Sequence, residues 1–239
     1  MDKNDPFAAT IPAPTATRPL LGLTVLVIED SRFACEAMRL LCLRSGARIR
    51  RADCLRSARR HLQVYRPSVV IVDLGLPDGN GVDLITELTQ SEPRVDVVLG
   101  TSGDTTGQEL ALQAGADGFL EKPITSLAAF QQAVLSNLPA DRQPVGLREL
   151  SDEVIHPDRM AFQDDMAHIA DVLEDPPDDR ALDYVAQFLG GVARSAQDHG
   201  LEKAAAALAK KRAAGEPAGS ETAVIAGLIQ ERLTQKLAI

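Results

Sequence analysis

The chain has 239 residues, a net charge of −9, 45% hydrophobic and 3% aromatic residues and no Trp. That length suits two modest domains with cores of Ala, Leu, Val and Ile rather than large rings. The acidic balance argues against a surface that grips phosphate backbones, which needs clustered Lys and Arg, so no nucleic-acid partner is expected.

Residues 1–19 are polar and then rich in Ala, Pro and Thr. They lack the apolar centre of a secretion signal, and no later run approaches a membrane span, so the expectation is a cytoplasmic protein with no membrane partner and a flexible N-terminal tail. From Leu23 the pattern changes. The apolar run Thr24-Val25-Leu26-Val27-Ile28 has strand length and ends in Glu29-Asp30, and such runs suit a strand buried on both faces. A helix is predicted over Ser31–Arg44, with Ser31 as N-cap and Ser45-Gly46 as its close.

The alternation repeats with a short strand near Ala47–Arg51, a helix near Leu55–Val64, and the apolar strand Val69–Val72 ending in Asp73. It continues with a helix near Gly81–Leu88, a strand over Val95–Leu99, a helix near Thr106–Ala114, a strand Gly118–Leu120 and a helix Leu127–Leu138. Five strands alternating with five helices predict a doubly wound parallel α/β sheet over residues 20–139, because parallel neighbours need helical crossovers. Cys35, Cys42 and Cys54 lack paired metal-ligand or disulfide spacing and read as small buried hydrophobes. Arg48–Arg51 and Lys210–Arg212 are short basic runs, read as a solvated strand end and helix face.

Beyond Pro139 the strand signal stops. Residues 140–157 read as a linker, and 158–239 as a four-helix bundle with helices near 158–173, 178–195, 201–214 and 220–237, broken at Pro176-Pro177, Asp198-His199-Gly200 and Gly215–Gly219. From residue 140 onward there are 18 Asp or Glu against 11 Lys or Arg, a net of −7. No helix-turn-helix with a basic second helix is visible.

Glu29-Asp30, Asp73, Thr101-Ser102 and Lys122-Pro123 all fall where strands should end on one edge of the sheet. Each has a bland reading, as a helix cap, a solvated turn or a surface lysine; the ordered set on successive strands is much harder to obtain by accident. Three carboxylates that close repel one another unless a cation shares the site. Mg²⁺, with its octahedral oxygen ligands, suits two or three carboxylates, a backbone carbonyl and a phosphoryl oxygen.

At these residues the chain resembles the response-regulator receiver family. Glu29-Asp30, Asp73-Leu74-Gly75-Leu76-Pro77-Asp78-Gly79-Asn80-Gly81, Ser102-Gly103 and Gly115–Pro123 are similar to that family's motifs, in its order, over about Pro19–Pro139. The resemblance implies a flavodoxin-like receiver domain in which Asp73 takes a phosphoryl group from a histidine kinase or histidine phosphotransfer protein. Asp30, Glu29 through water, Asp73 and the Gly75 backbone carbonyl would hold Mg²⁺, and Lys122 would neutralise a phosphoryl oxygen. Ser102 is the expected switch hydroxyl, chosen over the adjacent Thr101 because Gly103 follows it in the family pattern. Phe119 occupies the aromatic switch position or is plain core.

In the second half, Ala186-Gln187-Phe188-Leu189-Gly190-Gly191 resembles a histidine-phosphotransfer motif in which Gln187 replaces the phosphorylated His and Gly190 the Lys. Gln cannot form a phosphoramidate, so the resemblance implies the fold without the activity. His199, before Gly200, reads as a cap, and His156 and His168 as ordinary surface groups. The leading expectation is a response regulator, not an enzyme acting on a separate substrate, whose output runs through protein contacts of the helical half, including a possible homodimer. A relay through an unusual His, a Mg²⁺-dependent aspartyl-phosphate hydrolase and a DNA-binding regulator are the alternatives. The hydrolase is disfavoured because Gly75 stands where its general acid would be.

Overall fold

A computed structural model describes residues 13–144, 151–174 and 177–235. The tail over residues 1–12, the middle of the linker and the last four residues therefore lie outside the described residues. The strands are β1 (Thr24–Ile28), β2 (Arg48–Ala52), β3 (Val69–Asp73), the two-residue β4 (Gly75–Leu76) and β5 (Gly79–Asn80), β6 (Val97–Ser102) and β7 (Gly118–Glu121). Between and after them run α1 (Arg32–Ser45), α2 (Leu55–Val64), α3 (Gly81–Gln90), α4 (Gly107–Gln113), α5 (Leu127–Leu135), α6 (Arg159–Glu174), α7 (Asp179–Ser195), α8 (His199–Ala213) and α9 (Gly219–Thr234).

Five strands form one parallel sheet in the order β2-β1-β3-β6-β7. Each apolar strand feeds both faces, because successive side chains alternate. Val25, Val27, Val69, Ile71, Val97 and Leu99 pack with Met38 and Leu41 of α1 and Phe130 and Val134 of α5. Leu26, Ile28, Val70, Val72 and Val98 pack with Leu55 of α2, Leu84 and Ile85 of α3 and Ala111 of α4. The basic run Arg48–Arg51 lies on the edge strand β2, where three of its four residues are exposed.

The helix starts follow the polar residues before them. Ser31, Asn80, Ser126, Asp178 and Asp198 each accept a hydrogen bond from a backbone N–H in the first turn of α1, α3, α5, α7 and α8. Gly46 closes α1 at φ 84°, a left-handed conformation that favours glycine.

Two expectations are corrected. The strand expected over Val95–Leu99 runs instead from Val97 to Ser102, because Thr101 and Ser102 are held by β3 and β7 in register with Asp73 and Glu121; pairing carried it past the apolar run. His199 is no cap: Asp198 caps α8, and His199 is its first residue, with its side chain in solvent. His168 is exposed, as expected, and its Nε2 lies 3.0 Å from the Tyr184 hydroxyl. Residues 153–155, within the expected linker, run along the sheet domain: Leu127 N–H donates to the Glu153 carbonyl, Ile155 N–H to the Thr125 carbonyl, and Ile155 is buried.

The four C-terminal helices surround a core of Met166, Ile169, Val185, Phe188, Leu189, Leu201, Leu208, Ile225 and Ile229. Lys210–Arg212 lies on α8 and is paired with acids: Lys211 with Glu216, and Arg212 with Asp179 and Asp183.

Candidate functional site

Strand order reverses between β1 and β3, and in sheets of this kind the crevice beyond the carboxyl ends at that point is where ligands bind. Register brings Ile28 beside Val72 and Asp73 beside Thr101, so the residues that follow each strand become neighbours. Glu29, Asp30 and Asp73 each place a carboxylate oxygen within 4.8 Å of the other two. Lys122, just past β7, reaches into this group, its Nζ 2.7 Å from Glu29 Oε2 and 3.0 Å from Asp73 Oδ2.

Glu29, Asp73 and Lys122 are all buried. Within the fold, Lys122 is the cation that Glu29 Oε2 and Asp73 Oδ2 both contact. One ammonium faces three acids, and the electrostatics show the deficit. Burial raises the Glu29 pKa to about 8, opposed by Lys122 and reinforced by Asp73 and Asp30. Burial, with the charge of Asp73, raises Asp30 to about 7. Burial works against the charge of Lys122, but Asp73 and Glu29 outweigh it and hold its pKa above the usual lysine range. Three carboxylates whose oxygens lie within 4.8 Å of one another, with one ammonium among them, are short of positive charge and fit a hard divalent ion.

Ser102 and Gly75 line the same cavity as Asp73 and Lys122. Thr101 is fully buried and its hydroxyl donates to the Leu120 carbonyl. Ser102 Oγ accepts from Asp104 N–H at 3.0 Å. Phe119 is half-buried against the sheet; a Cβ on Gly107 would lie 2.8 Å from Ser102 Cβ and 3.2 Å from Phe119 Cζ, so ring and hydroxyl share one space beneath the start of α4.

Across the mouth of the cavity lies α7. Tyr184 donates its hydroxyl hydrogen to Asp30 Oδ2 at 2.8 Å, and burial and the Asp30 charge hold its pKa above the tyrosine range. One turn on, the Gln187 carboxamide sits over Gly75: a Cβ there would meet Gln187 Nε2 at 2.0 Å. Three turns from Tyr184, Arg194 donates to the Gly103 carbonyl and pairs with Glu202 at 3.3 Å. Residues 184, 187, 190/191 and 194 recur at helical spacing and so share one face.

The neighbouring helix α6 is fastened to the start of α1. Asp165, 1% exposed, accepts from Ser31 Oγ at 2.7 Å, Arg32 N–H at 2.7 Å and Phe33 N–H at 3.1 Å. Those amides belong to the first turn of α1, which has no intrahelical partners to offer them. Phe33 and Phe162 meet edge to face, with centroids 5.9 Å apart.

Sequence reasoning brought Glu29, Asp30, Asp73, Gly75, Ser102, Lys122 and Gln187 forward, and all seven line this one cavity. It passed over Asp165, Tyr184 and Arg194. An Asp or a Tyr on an amphipathic helix carries no local mark of a distant partner, so only the helical spacing of Tyr184 and Arg194 about Gln187 offered a signal.

Residues 25–134 match the family model described as the response regulator receiver domain. The KDP operon transcriptional regulatory protein KdpE of Escherichia coli is 32% identical over 133 residues, 55% of this chain and 59% of that protein. The virulence transcriptional regulatory protein PhoP of Salmonella typhimurium is 30% identical over 148 residues, 56% of this chain and 66% of that protein. The chain thus spans about three-fifths to two-thirds of the length of these relatives. Among solved structures, a two-component response regulator from Clostridium difficile is 18% identical with a TM-score of 0.44, over 48% of this chain and 94% of that one. Among the described residues no helix is long and apolar enough to cross a membrane. With the site at the carboxyl edge of a five-stranded parallel sheet and the family match over the same span, residues 25–134 are a response regulator receiver domain.

Proposed function

We propose that this chain is a two-component response regulator that accepts a phosphoryl group on Asp73 from a histidine kinase or histidine phosphotransfer protein and signals through protein contacts of its helical half. The observation that carries the reading is Asp73 at the end of the central strand, its Oδ2 3.0 Å from Lys122 Nζ, in a cavity shared with Glu29, Asp30 and Ser102. An Asp73 oxygen attacks the phosphorus of the phosphohistidine in line, and the P–N bond to imidazole breaks as the P–O bond forms. Lys122 offsets the charge of a phosphoryl oxygen, and the Ser102 hydroxyl, on the same wall, hydrogen-bonds it. Glu29, Asp30, Asp73 and the Gly75 carbonyl would hold Mg²⁺, which when bound neutralises phosphoryl charge.

The helical half supports a reading as a phosphotransfer-like domain without its histidine, because α7 turns Gln187, the residue in the histidine's place, toward the receiver's own cavity. In this arrangement α7 stands where an incoming donor helix would lie, so a donor protein and α7 compete for one surface. Phosphorylation of Asp73 is then linked to release of the helical half, which frees its face for a partner or a second copy of the chain. The excess of acids from residue 140 onward favours a protein over a nucleic-acid target.

Incubating the protein with Mg²⁺ and a small phosphoryl donor should label it, and Asp73→Asn should abolish the label. Label persisting in Asp73→Asn refutes the reading. Salt-dependent retention of the protein on DNA would overturn the proposed output alone.

A further inference from the structure

The cavity between α7 and the receiver has a volume of about 820 Å³, room for a phosphoryl group and several waters at about 30 Å³ each. Its receiver wall carries the phosphoacceptor and Lys122. Its opposite wall is the α7 face, fastened on one side of Gln187 by Tyr184 to Asp30 and on the other by Arg194 to Gly103. Between the fastenings the helix is hollow. Gly190 and Gly191 would meet nothing within 4 Å if given a Cβ, although two glycines inside a helix cost roughly 1 kcal/mol each relative to Ala.

A nucleophile that displaces Asp73 from phosphorus must arrive in line with the bond that breaks, and residues of α7 share the cavity with Asp73. The α7 face supplies no residue that could itself carry a phosphoryl group as a phosphoramidate. Arg194 is a donor only and is already engaged by Glu202 and the Gly103 carbonyl, and Asp183 is paired with Arg212. Gln187 differs from these. Its carboxamide has both a donor and an acceptor, makes no hydrogen bond among the described residues, and rests on the bare backbone of Gly75, two residues beyond Asp73. A side chain at 75 would fill the space the carboxamide occupies.

We infer that the helical half is the receiver's own phosphatase, with Gln187 as a catalytic residue that orients a water against the aspartyl phosphate. The inference rests on Asp73 being the phosphoacceptor. The water oxygen bonds to phosphorus as the P–O bond to Asp73 breaks. Asp73 leaves as its carboxylate, one water proton stays on the phosphate released and the other passes to solvent. Gln187 thus has the role by which a glutamine orients the attacking water in GTP-hydrolysing proteins.

The test uses the full chain, phosphorylated with acetyl phosphate and Mg²⁺, freed of donor by desalting, and followed by release of inorganic phosphate. Small-angle scattering on each variant before phosphorylation reports whether the substitution leaves the halves docked. Gln187→Ala should lengthen the phosphoryl half-life by about tenfold or more with a scattering profile like that of the unsubstituted protein. Gln187→Glu, similar in size but without the amide donor, should decay as slowly as the alanine variant. An unchanged or faster decay in Gln187→Ala overturns the inference. So does a slower decay accompanied by an expanded profile, because docking and not the carboxamide would then be responsible. Failure of the unsubstituted protein to take up phosphate overturns the phosphoacceptor reading and this one with it, whereas uptake at Asp73 with equal decay rates overturns this one alone.

Discussion

Asp165→Ala should separate the two halves of the protein. The carboxylate accepts three hydrogen bonds, from Ser31 Oγ, Arg32 N–H and Phe33 N–H, at 2.7–3.1 Å, and it lies where the α1 dipole is positive. Hydrogen bonds to a charged group contribute about 1.5–3 kcal/mol each when their partners are otherwise stranded. On separation, however, the first turn of α1 and the carboxylate regain water, and burial of Asp165, which raises its pKa, has already cost part of the gain. A net loss of about 2–3 kcal/mol in docking remains, a shift of about 30- to 150-fold toward the separated form. Hydrogen exchange at the Arg32 and Phe33 amides reads this directly, with small-angle scattering for the change in shape. The adjacent Asp164→Ala is the control, because its ion pair with Arg32 at 2.9 Å joins side chains 52% and 68% exposed and such pairs are worth about 0–1 kcal/mol. Unchanged amide exchange in Asp165→Ala, or an equal effect in Asp164→Ala, refutes the reasoning.

Lys122→Ala should destabilise the receiver by about 3–5 kcal/mol, since it strips a buried charge pair of its cation; urea unfolding measures it, and a loss below about 1 kcal/mol contradicts the burial argument. Without divalent metal, stability should fall as pH rises from about 4 to 8. Glu29 and Asp30, raised from 4.5 and 3.8 to about 8 and 7, bind more protons in the folded than in the unfolded chain over that window, so raising the pH favours unfolding. Melting curves with and without Mg²⁺ test this, and the two should diverge toward the alkaline end, because the ion replaces the lost protons. Parallel curves from pH 5 to 8 would mean that these carboxylates do not share an ion.

The division between what is legible locally and what is not follows from the range of each interaction. Apolar runs such as Val69–Val72 and polar starts such as Ser31 and Asn80 act within one turn or one strand, so sequence alone placed nearly every helix and strand. The site edge was legible too, because strands of a parallel sheet end together and Glu29, Asp30, Asp73, Ser102 and Lys122 each follow or close one. Where pairing overrode pattern, as in the extension of β6 through Gly100-Thr101-Ser102, the sequence offered no apolar run to follow.

Sequence alone therefore determined that this chain holds a parallel α/β receiver with an acidic cluster around Asp73, followed by four helices, the second of which carries Gln187. Only the tertiary structure decided that this glutamine faces its own receiver, because the docking rests on Asp165 at the start of α1, Tyr184 on Asp30 and Arg194 on Gly103. These partners stand 91–154 residues apart in the chain. Contacts of that range depend on how two folded surfaces match, and no periodicity within either segment encodes the match.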